Sequence, residues 1–135
     1  MDIIRLNGED KKLYELVAPL VMNARVIKAN NNYAYKTDAD YIWYVAVDGD
    51  KVEGFIPLKP TLTGYYMDNY YIHDDEPAVV DILLSTILSE HEGEHLTALV
   101  KKRHVVCFGR HGFVSWLDMK NYNKMDFKNN NIKTK

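Results

Sequence analysis

The segment IHDDEPAVVDILLSTIL, residues 72–88, leads from the end of a Tyr-rich strand directly into an apolar helix. Such a junction binds an anion in many α/β proteins, because the first N–H groups of a helix have no partner within the helix. Here the junction carries three acidic residues and a proline, Asp74–Pro77, and no glycine lies between Gly64 and Gly93. We expect the three carboxylates to cap the helix amides themselves and to repel a phosphate group.

Hydrophobic periodicity on both sides of this junction predicts a single α+β domain over residues 1–127, followed by a frayed polar tail, 128–135. The predicted sheet is mostly antiparallel, has about seven strands and carries helices on both faces. Asp48-Gly49-Asp50 is typical of a hairpin turn, and Pro19 is expected to end or kink the first helix. The predicted strands are 1–6, 41–47, 51–58, 63–72, 96–100, 113–119 and 122–127, and the predicted helices are 9–17, a short one reaching residue 22, 77–90 and 102–110.

Composition excludes two classes of partner. The 135 residues carry a formal net charge of −2, whereas a sequence-independent nucleic-acid binder needs a basic face. No apolar run approaches membrane-spanning length, so we expect no membrane association.

Cys107 is the one cysteine, which forms no internal disulfide. Together with an N-terminus that lacks a basic-then-apolar leader, this predicts a cytoplasmic location.

Three motifs occur in a characteristic order along the chain. The hairpin VAVDGDKVEGF, residues 45–55, has a DG turn and a glycine in its second strand. Ile72-His73-Asp74 leaves the fourth strand, and FGRHGF, residues 108–113, joins the last helix to the sixth strand. With the order of the predicted elements, these motifs resemble the GCN5-related N-acetyltransferase superfamily, and the resemblance covers residues 1–127.

The resemblance implies an acyl-CoA-dependent N-acyltransferase that uses acetyl-CoA and acetylates a primary amine on a small molecule or peptide. In that family acetyl-CoA lies in a V-shaped opening between the fourth and fifth strands, and its diphosphate binds the turn after the fourth strand. The resemblance leaves the oligomeric state open, with a homodimer as one option. Mapped onto this chain, the cofactor-binding positions are Tyr71, Ile72, His73, Ala78, Val79, Val80, Lys102 and Phe108.

Two departures from the family pattern concern the chemistry. The glycine-rich phosphate loop is absent, and Asp74–Val80 holds its place as an atypical cofactor loop. Phe108 stands where many members have a tyrosine that protonates the departing thiolate, and its ring has no proton to give. A catalytically silent module that binds a ligand or a protein in the same opening is therefore the alternative function.

Candidate catalytic residues lie on the central strands, besides Phe108 at the tyrosine position. Glu53 and Asp68 could accept a proton from the amine, and Tyr70 could do so through its hydroxyl. Period-two alternation along the fourth strand predicts Asp68 and Tyr70 on one face, with Asn69 and Tyr71 on the other.

One further motif, His91-Glu92-Gly93-Glu94-His95, matches the HExxH pattern of zinc hydrolases. That chemistry requires both histidines on one face of a helix, and Gly93 instead predicts a helix end. We predict no metal site here and read the segment as a solvated turn.

Overall fold

The computed structural model describes residues 1–128, so the predicted tail lies outside the described residues except for Lys128. Short 3-10 turns at His73–Asp75 and Lys102–His104 precede the third and fourth helices. The elements in chain order are β1 (Asp2–Asn7), α1 (Lys11–Val21), α2 (Ala24–Ala29), β2 (Ile42–Asp48), β3 (Lys51–Pro60), β4 (Gly64–Met67), β5 (Tyr71–Ile72), α3 (Pro77–Glu90), β6 (His95–Lys101), α4 (Val105–Arg110), β7 (Phe113–Asp118) and β8 (Tyr122–Phe127).

The strands form one eight-stranded sheet in the order β1-β2-β3-β4-β6-β8-β7, with β5 beside β3. The β4–β6 pair is parallel, from Gly64 beside His95 to Met67 beside Ala98, and the other pairs are antiparallel. The predicted α+β fold with a mostly antiparallel sheet is confirmed. The eighth strand arises because the predicted fourth strand is split into β4 and β5.

Each face of the sheet carries its own apolar core. On one face, α3 and α4 cover the larger core, in which Leu83, Leu84 and Phe108 are fully buried. On the other face, α1 and α2 cover a smaller core around Trp43 and Phe55. Helices therefore lie on both faces, as predicted.

The first helix is longer than predicted. It runs through Pro19 and ends at Val21, and α2 begins only at Ala24 after its cap residue Asn23. Proline removes a single helical N–H donor, and here it does so in the last turn of the helix. The prediction that the first helix covers residues 9–17 was therefore wrong in its bounds.

The break between β4 and β5 decides where the sheet opens. Both strands pair with β3, β4 through Leu58–Pro60 and β5 through Gly54 and Phe55. Asn69 lies between them with a φ of 52°, a left-handed conformation that interrupts a strand and that Asn tolerates better than most residues. Before the break, β4 pairs with β6. After the break, within residues 1–128, β5 pairs with β3 alone. The sheet is therefore open between β5 and β6.

Candidate functional site

Backbone groups of β5 line the opening between β5 and β6. The Tyr71 carbonyl points toward β3, since a Cβ atom built on Gly54 would lie 2.8 Å from its oxygen. The Tyr70 carbonyl points the other way and accepts a hydrogen bond from the Lys101 ammonium of β6. Because peptide groups alternate in direction along a strand, the N–H and C=O of Ile72 also face the opening. On this side the N–H and C=O of Ile72 are therefore not hydrogen-bonded to β3.

Side chains bridge this opening in a buried hydrogen-bonded chain. The Lys101 amide donates to the Tyr70 hydroxyl at 3.0 Å, which leaves the hydroxyl proton for Nδ1 of His104 at 2.7 Å. Nε2 of His104 then donates to the Asp75 carboxylate at 2.7 Å. Burial lowers the pKa of His104, although the bond to Asp75 opposes this effect. The ring is therefore neutral at neutral pH, with its proton on Nε2.

Lys101 is the most unusual charge in the opening. Its side chain is only 2% exposed, and its ammonium lies 4.1 Å from the centroid of the Tyr70 ring. Burial, followed by the charge of Arg103, lowers the pKa of Lys101 to about 7. A substantial fraction of Lys101 is therefore uncharged at neutral pH, where an ordinary lysine would be fully protonated.

The acidic turn before α3 does not have the contacts that the sequence suggested. Within residues 1–128 the Glu76 side chain makes no capping bond to α3. Asp74 lies 3.3 Å from the His73 ring, and Asp75 accepts a hydrogen bond from Arg103 at 2.8 Å. Burial by itself would raise the pKa of Asp75, but the bonds from Arg103 and His104 lower it overall. The expectation that these acids cap the helix was wrong, because basic side chains of the turn after β6 hold Asp75 instead.

The backbone of this turn has a conformation that is unusual for residues other than glycine. Asp74 and Asp75 have φ values of 53° and 52°, the left-handed conformation that favours glycine. Within residues 1–128 the acidic side chains do not bond the amides of this turn, and the N–H and C=O of Ile72 are not hydrogen-bonded to β3. The Asp74 and Asp75 carboxylates, however, would lie beside any diphosphate of a CoA ligand bound here. The side chains that bridge the opening obstruct such a ligand, because the Lys101 ammonium already donates a hydrogen bond to the Tyr70 carbonyl.

On the α1–α2 face, a cavity of about 400 Å³ lies beside the break between β4 and β5. Asp68 is half-buried in its wall and, among residues 1–128, has no hydrogen-bond or ion-pair partner. Burial raises the pKa of this carboxyl, and the charges of Lys59 and Lys36 oppose the rise. A carboxylate in this state accepts a proton more readily than an exposed aspartate and can pair with a cation. The lining residues are Asn30, Tyr33, Ala34, Lys36, Asp68, Asn69, Tyr70, Leu99, Lys101, Met119, Lys120, Asn121 and Tyr122.

Asparagines after α2 hold the cavity walls together. Asn30 is 1% exposed and donates through Nδ2 to Oδ1 of Asn69 at 3.0 Å and to the Tyr33 carbonyl at 3.1 Å. Asn31 donates to the Tyr122 hydroxyl at 2.8 Å. The polar run 30–32 thus connects α2 to the strand break and to β8.

The structure brings together only some of the predicted catalytic residues. Asp68 and Tyr70 both line the cavity, but Asn69 does so too, because the break cancels the predicted alternation. Glu53 is the unpaired residue between Val52 and Gly54, lies 3.7 Å from Lys51 and does not line the cavity.

Phe108 lies wholly in the core, with its ring 5.6 Å from that of Tyr70 and 5.3 Å from that of Phe113. A ligand in the opening would reach Tyr70 before it reached Phe108.

The predicted cofactor-binding residues lie around the opening in different settings. Ile72, Val79 and Val80 have buried side chains, so that their contribution to a ligand would come from the backbone. The Tyr71 ring packs on Phe55 on the α1–α2 face and its hydroxyl contacts His73 at 3.1 Å. Ala78 is exposed at the start of α3. Lys102 is held by Asp118 and Asn123, so that its ammonium is engaged with β7 and β8.

The HExxH histidines do not share a site. His91 contacts the Tyr44 hydroxyl at 2.8 Å and Glu94 at 2.7 Å, whereas His95 lies on β6 beside Thr63. Over residues 1–128 no three potential metal-ligating side chains cluster. The same described residues include no helix of the length and apolarity needed to cross a membrane.

No protein-family model matches this sequence, and no curated protein matches it significantly. Solved structures do match. Escherichia coli ElaA is 8% identical over 95% of this chain and 100% of its own, with a TM-score of 0.72. An acyl-CoA N-acyltransferase from Pseudomonas aeruginosa is 14% identical over 94% and 99%, also at 0.72. The chain has the GCN5-related N-acetyltransferase fold. Campylobacter jejuni N-acetyltransferase PseH, solved with acetyl coenzyme A, shares this acetyltransferase fold at 16% identity over 94% and 99%, with a TM-score of 0.60.

Sequence analysis missed Lys101, His104 and Asp75 as members of one cluster. The signal was a lysine directly after the apolar strand 96–100, followed by three more basic residues. Within an acetyltransferase fold this run ends the strand that borders the opening, which is why it faces β5.

Proposed function

We propose that this protein is an N-acyltransferase that moves an acyl group from an acyl-CoA to a small-molecule amine. The observation that carries the proposal is the position of the open edge of β5 beside a cavity whose wall contains an unpaired carboxylate, Asp68. An acyl donor and an amine acceptor could thus approach the same point of the sheet from its two faces. The acetyltransferase fold of the whole chain supports the same reading.

Asp68 is the general base in this proposal. A protonated acceptor amine is not nucleophilic, so one proton must leave it before attack. The raised pKa of Asp68 makes its carboxylate a better proton acceptor than an exposed aspartate. When bound, acyl-CoA supplies the thioester carbon that the amine attacks. The Ile72 peptide orients the extended ligand along β5.

Thiol release tests this proposal directly. Acetyl-CoA is incubated with the protein and pools of amino acids, polyamines, amino sugars and short peptides, and free CoA is followed with a chromogenic disulfide reagent. We expect release that depends on one pool, and a loss of about 100-fold in kcat/KM for Asp68→Asn. Asp2→Asn, at the exposed start of β1, is the matched control and should retain activity. No release above background in any pool, together with no acetyl-CoA binding by calorimetry, would reject the transferase.

One observation favours a second function, a catalytically silent module that binds a ligand in the cavity. Tyr70, Lys101 and His104 bridge the opening, and their contacts would have to break before a pantetheine arm could pair with β5. Lys101→Ala removes the contact to the Tyr70 carbonyl and distinguishes the two functions. Acetyl-CoA binding in both proteins supports the transferase, whereas ligand binding in the cavity without acetyl-CoA binding in either supports the silent module.

A further inference from the structure

The cavity beside Asp68 combines opposite charges in separate places. Asp68 is the only carboxylate among its lining residues and lies in the wall at the strand break. Lys36 and Lys120 are exposed, come from the loop after α2 and the turn between β7 and β8, and have no ion-pair partner within residues 1–128. The third lysine, Lys101, is already bonded to the Tyr70 carbonyl.

We propose that this cavity binds a small zwitterion, an amine that also carries a carboxylate or phosphate group. Its ammonium group lies at Asp68, and its anionic group lies between Lys36 and Lys120. The proposal deepens the proposed function, and rests on it only in making this zwitterion the acyl acceptor.

Charge balance is the reason for the anionic group. A simple amine in the cavity would pair with one carboxylate but would also face the charges of Lys36 and Lys120 at the rim, which is unfavourable in a partly desolvated site. An anionic group on the same ligand converts this repulsion into attraction. Burial raises the pKa of Asp68, and the charges of Lys59 and, to a smaller extent, Lys36 oppose the rise. Both ends of a zwitterion therefore meet a group of opposite charge.

The cavity is built firmly enough to hold such a ligand. The Asn30–Asn69 bond fixes the strand break that carries Asp68, and the Asn31–Tyr122 bond fixes the opposite wall. Its volume of about 400 Å³ is at the small end of ligand sites, which suits a molecule the size of an amino acid or an aminoalkyl phosphate. Tyr33, 61% exposed, adds an aromatic surface at the rim.

Calorimetric titration of the full chain without acetyl-CoA tests the inference. The probes are the amino acids, β-alanine, γ-aminobutyrate and phosphoethanolamine, each beside the amine that lacks its anionic group. We expect at least one zwitterion to bind, and its affinity to fall about tenfold or more when the anionic group is removed. Comparison of the carboxylate and phosphate probes identifies which anion the lysines prefer.

Matched variants locate the two ends. The double variant Lys36→Gln, Lys120→Gln should weaken binding of the zwitterion about tenfold and leave its anion-free counterpart bound at least as tightly as in the wild type, whereas Asp68→Asn should weaken binding of both. Lys12→Gln, on the exposed side of α1, is the control and should change neither. Binding of anion-free amines as tight as that of the zwitterions, an inert double variant, or no binding by any probe would each overturn the inference.

The two proposals fail separately. If the protein binds a zwitterion but releases no CoA, the cavity assignment stands and the transferase proposal is rejected. If the protein acetylates only amines without an anionic group, the transferase proposal stands and the zwitterion is rejected as the acyl acceptor.

Discussion

Lys101→Met removes the buried ammonium of the opening while keeping most of the side-chain length. Burial lowers the pKa of Lys101 to about 7 in the folded protein, whereas in the unfolded chain it should be near 10.5. Below pH 7 both states carry the proton, and the stability contribution does not vary with pH. Between these two values the folded protein loses the proton and the unfolded chain keeps it, so the unfolded state binds more protons. The contribution of Lys101 to stability therefore rises with pH.

The expected rise can be worked from these two values. The interval corresponds to about 5 kcal/mol, at about 1.4 kcal/mol for each pH unit. Two contacts favour the ammonium in the fold, the hydrogen bond to the Tyr70 carbonyl and the ring 4.1 Å away. Because these contacts act through the folded-state pKa itself, a folded pKa of about 7 corresponds to the full rise of about 5 kcal/mol. The exposed fraction of Lys101 is only 2%, so solvent screening reduces this figure little.

Urea unfolding of both proteins between pH 6 and pH 10 measures the effect. The unfolding free energy of the wild type minus that of Lys101→Met is the quantity of interest, since other titrating groups largely cancel in this difference. We expect the difference to increase steadily above pH 7. Lys12→Met, on an exposed position of α1, should give a flat difference. A flat difference for Lys101→Met as well would refute the reasoning, because it would mean that the fold holds the ammonium at no cost.

Two further predictions concern the framework of the opening. Gly54→Ala should destabilise the fold by about 1–3 kcal/mol in urea unfolding, because its Cβ would lie 2.8 Å from the Tyr71 oxygen and 3.0 Å from Val79. Gly109→Ala, in α4, is the matched control, since a Cβ atom built there meets no other atom within 4 Å. This variant should stabilise the fold by about 0.5–1 kcal/mol. Asp75→Asn should lower the free energy of unfolding by about 1 kcal/mol above pH 4. This value is modest because the Asp75 carboxylate, which pairs with Arg103 and His104, is partly exposed. Because the pKa of Asp75 is lowered in the fold, the cost should shrink as the pH falls below 4, and a cost that grew instead would contradict the Arg103 and His104 contacts.

Local sequence signals were sufficient for most of the fold. The turn Asp48-Gly49-Asp50 predicted the β2–β3 hairpin, because Gly49 supplies the positive φ, 63°, that a tight hairpin requires. Apolar spacing over 77–90 likewise predicted α3 with the bounds that the structure has. Both signals act within a few residues, so a single sequence contains them.

The split of the fourth strand had a local signal that the strand pattern concealed. Asp68-Asn69 are turn-forming residues between two tyrosine pairs, Tyr65-Tyr66 and Tyr70-Tyr71, whose β propensity suggests one continuous strand. The left-handed Asn69 breaks it, and the predicted alternation of Asp68 and Tyr70 against Asn69 fails for that reason. The buried cluster could not be predicted in the same way. Lys101 and His104 lie 31 and 34 residues from Tyr70 in sequence, and only the fold brings them into contact.

The turn between β5 and α3 adopts a left-handed backbone without any glycine. Asp74 and Asp75 adopt the backbone conformation that glycine takes without strain, at a cost of about 1 kcal/mol for each residue. Hydrogen bonds from Arg103 and His104 to Asp75 offset that cost and neutralise part of the negative charge. The shape of the turn is thus maintained by tertiary contacts instead of by glycine. The turn contains no glycine, yet the chain has the fold of solved proteins that are only 8% to 16% identical to it.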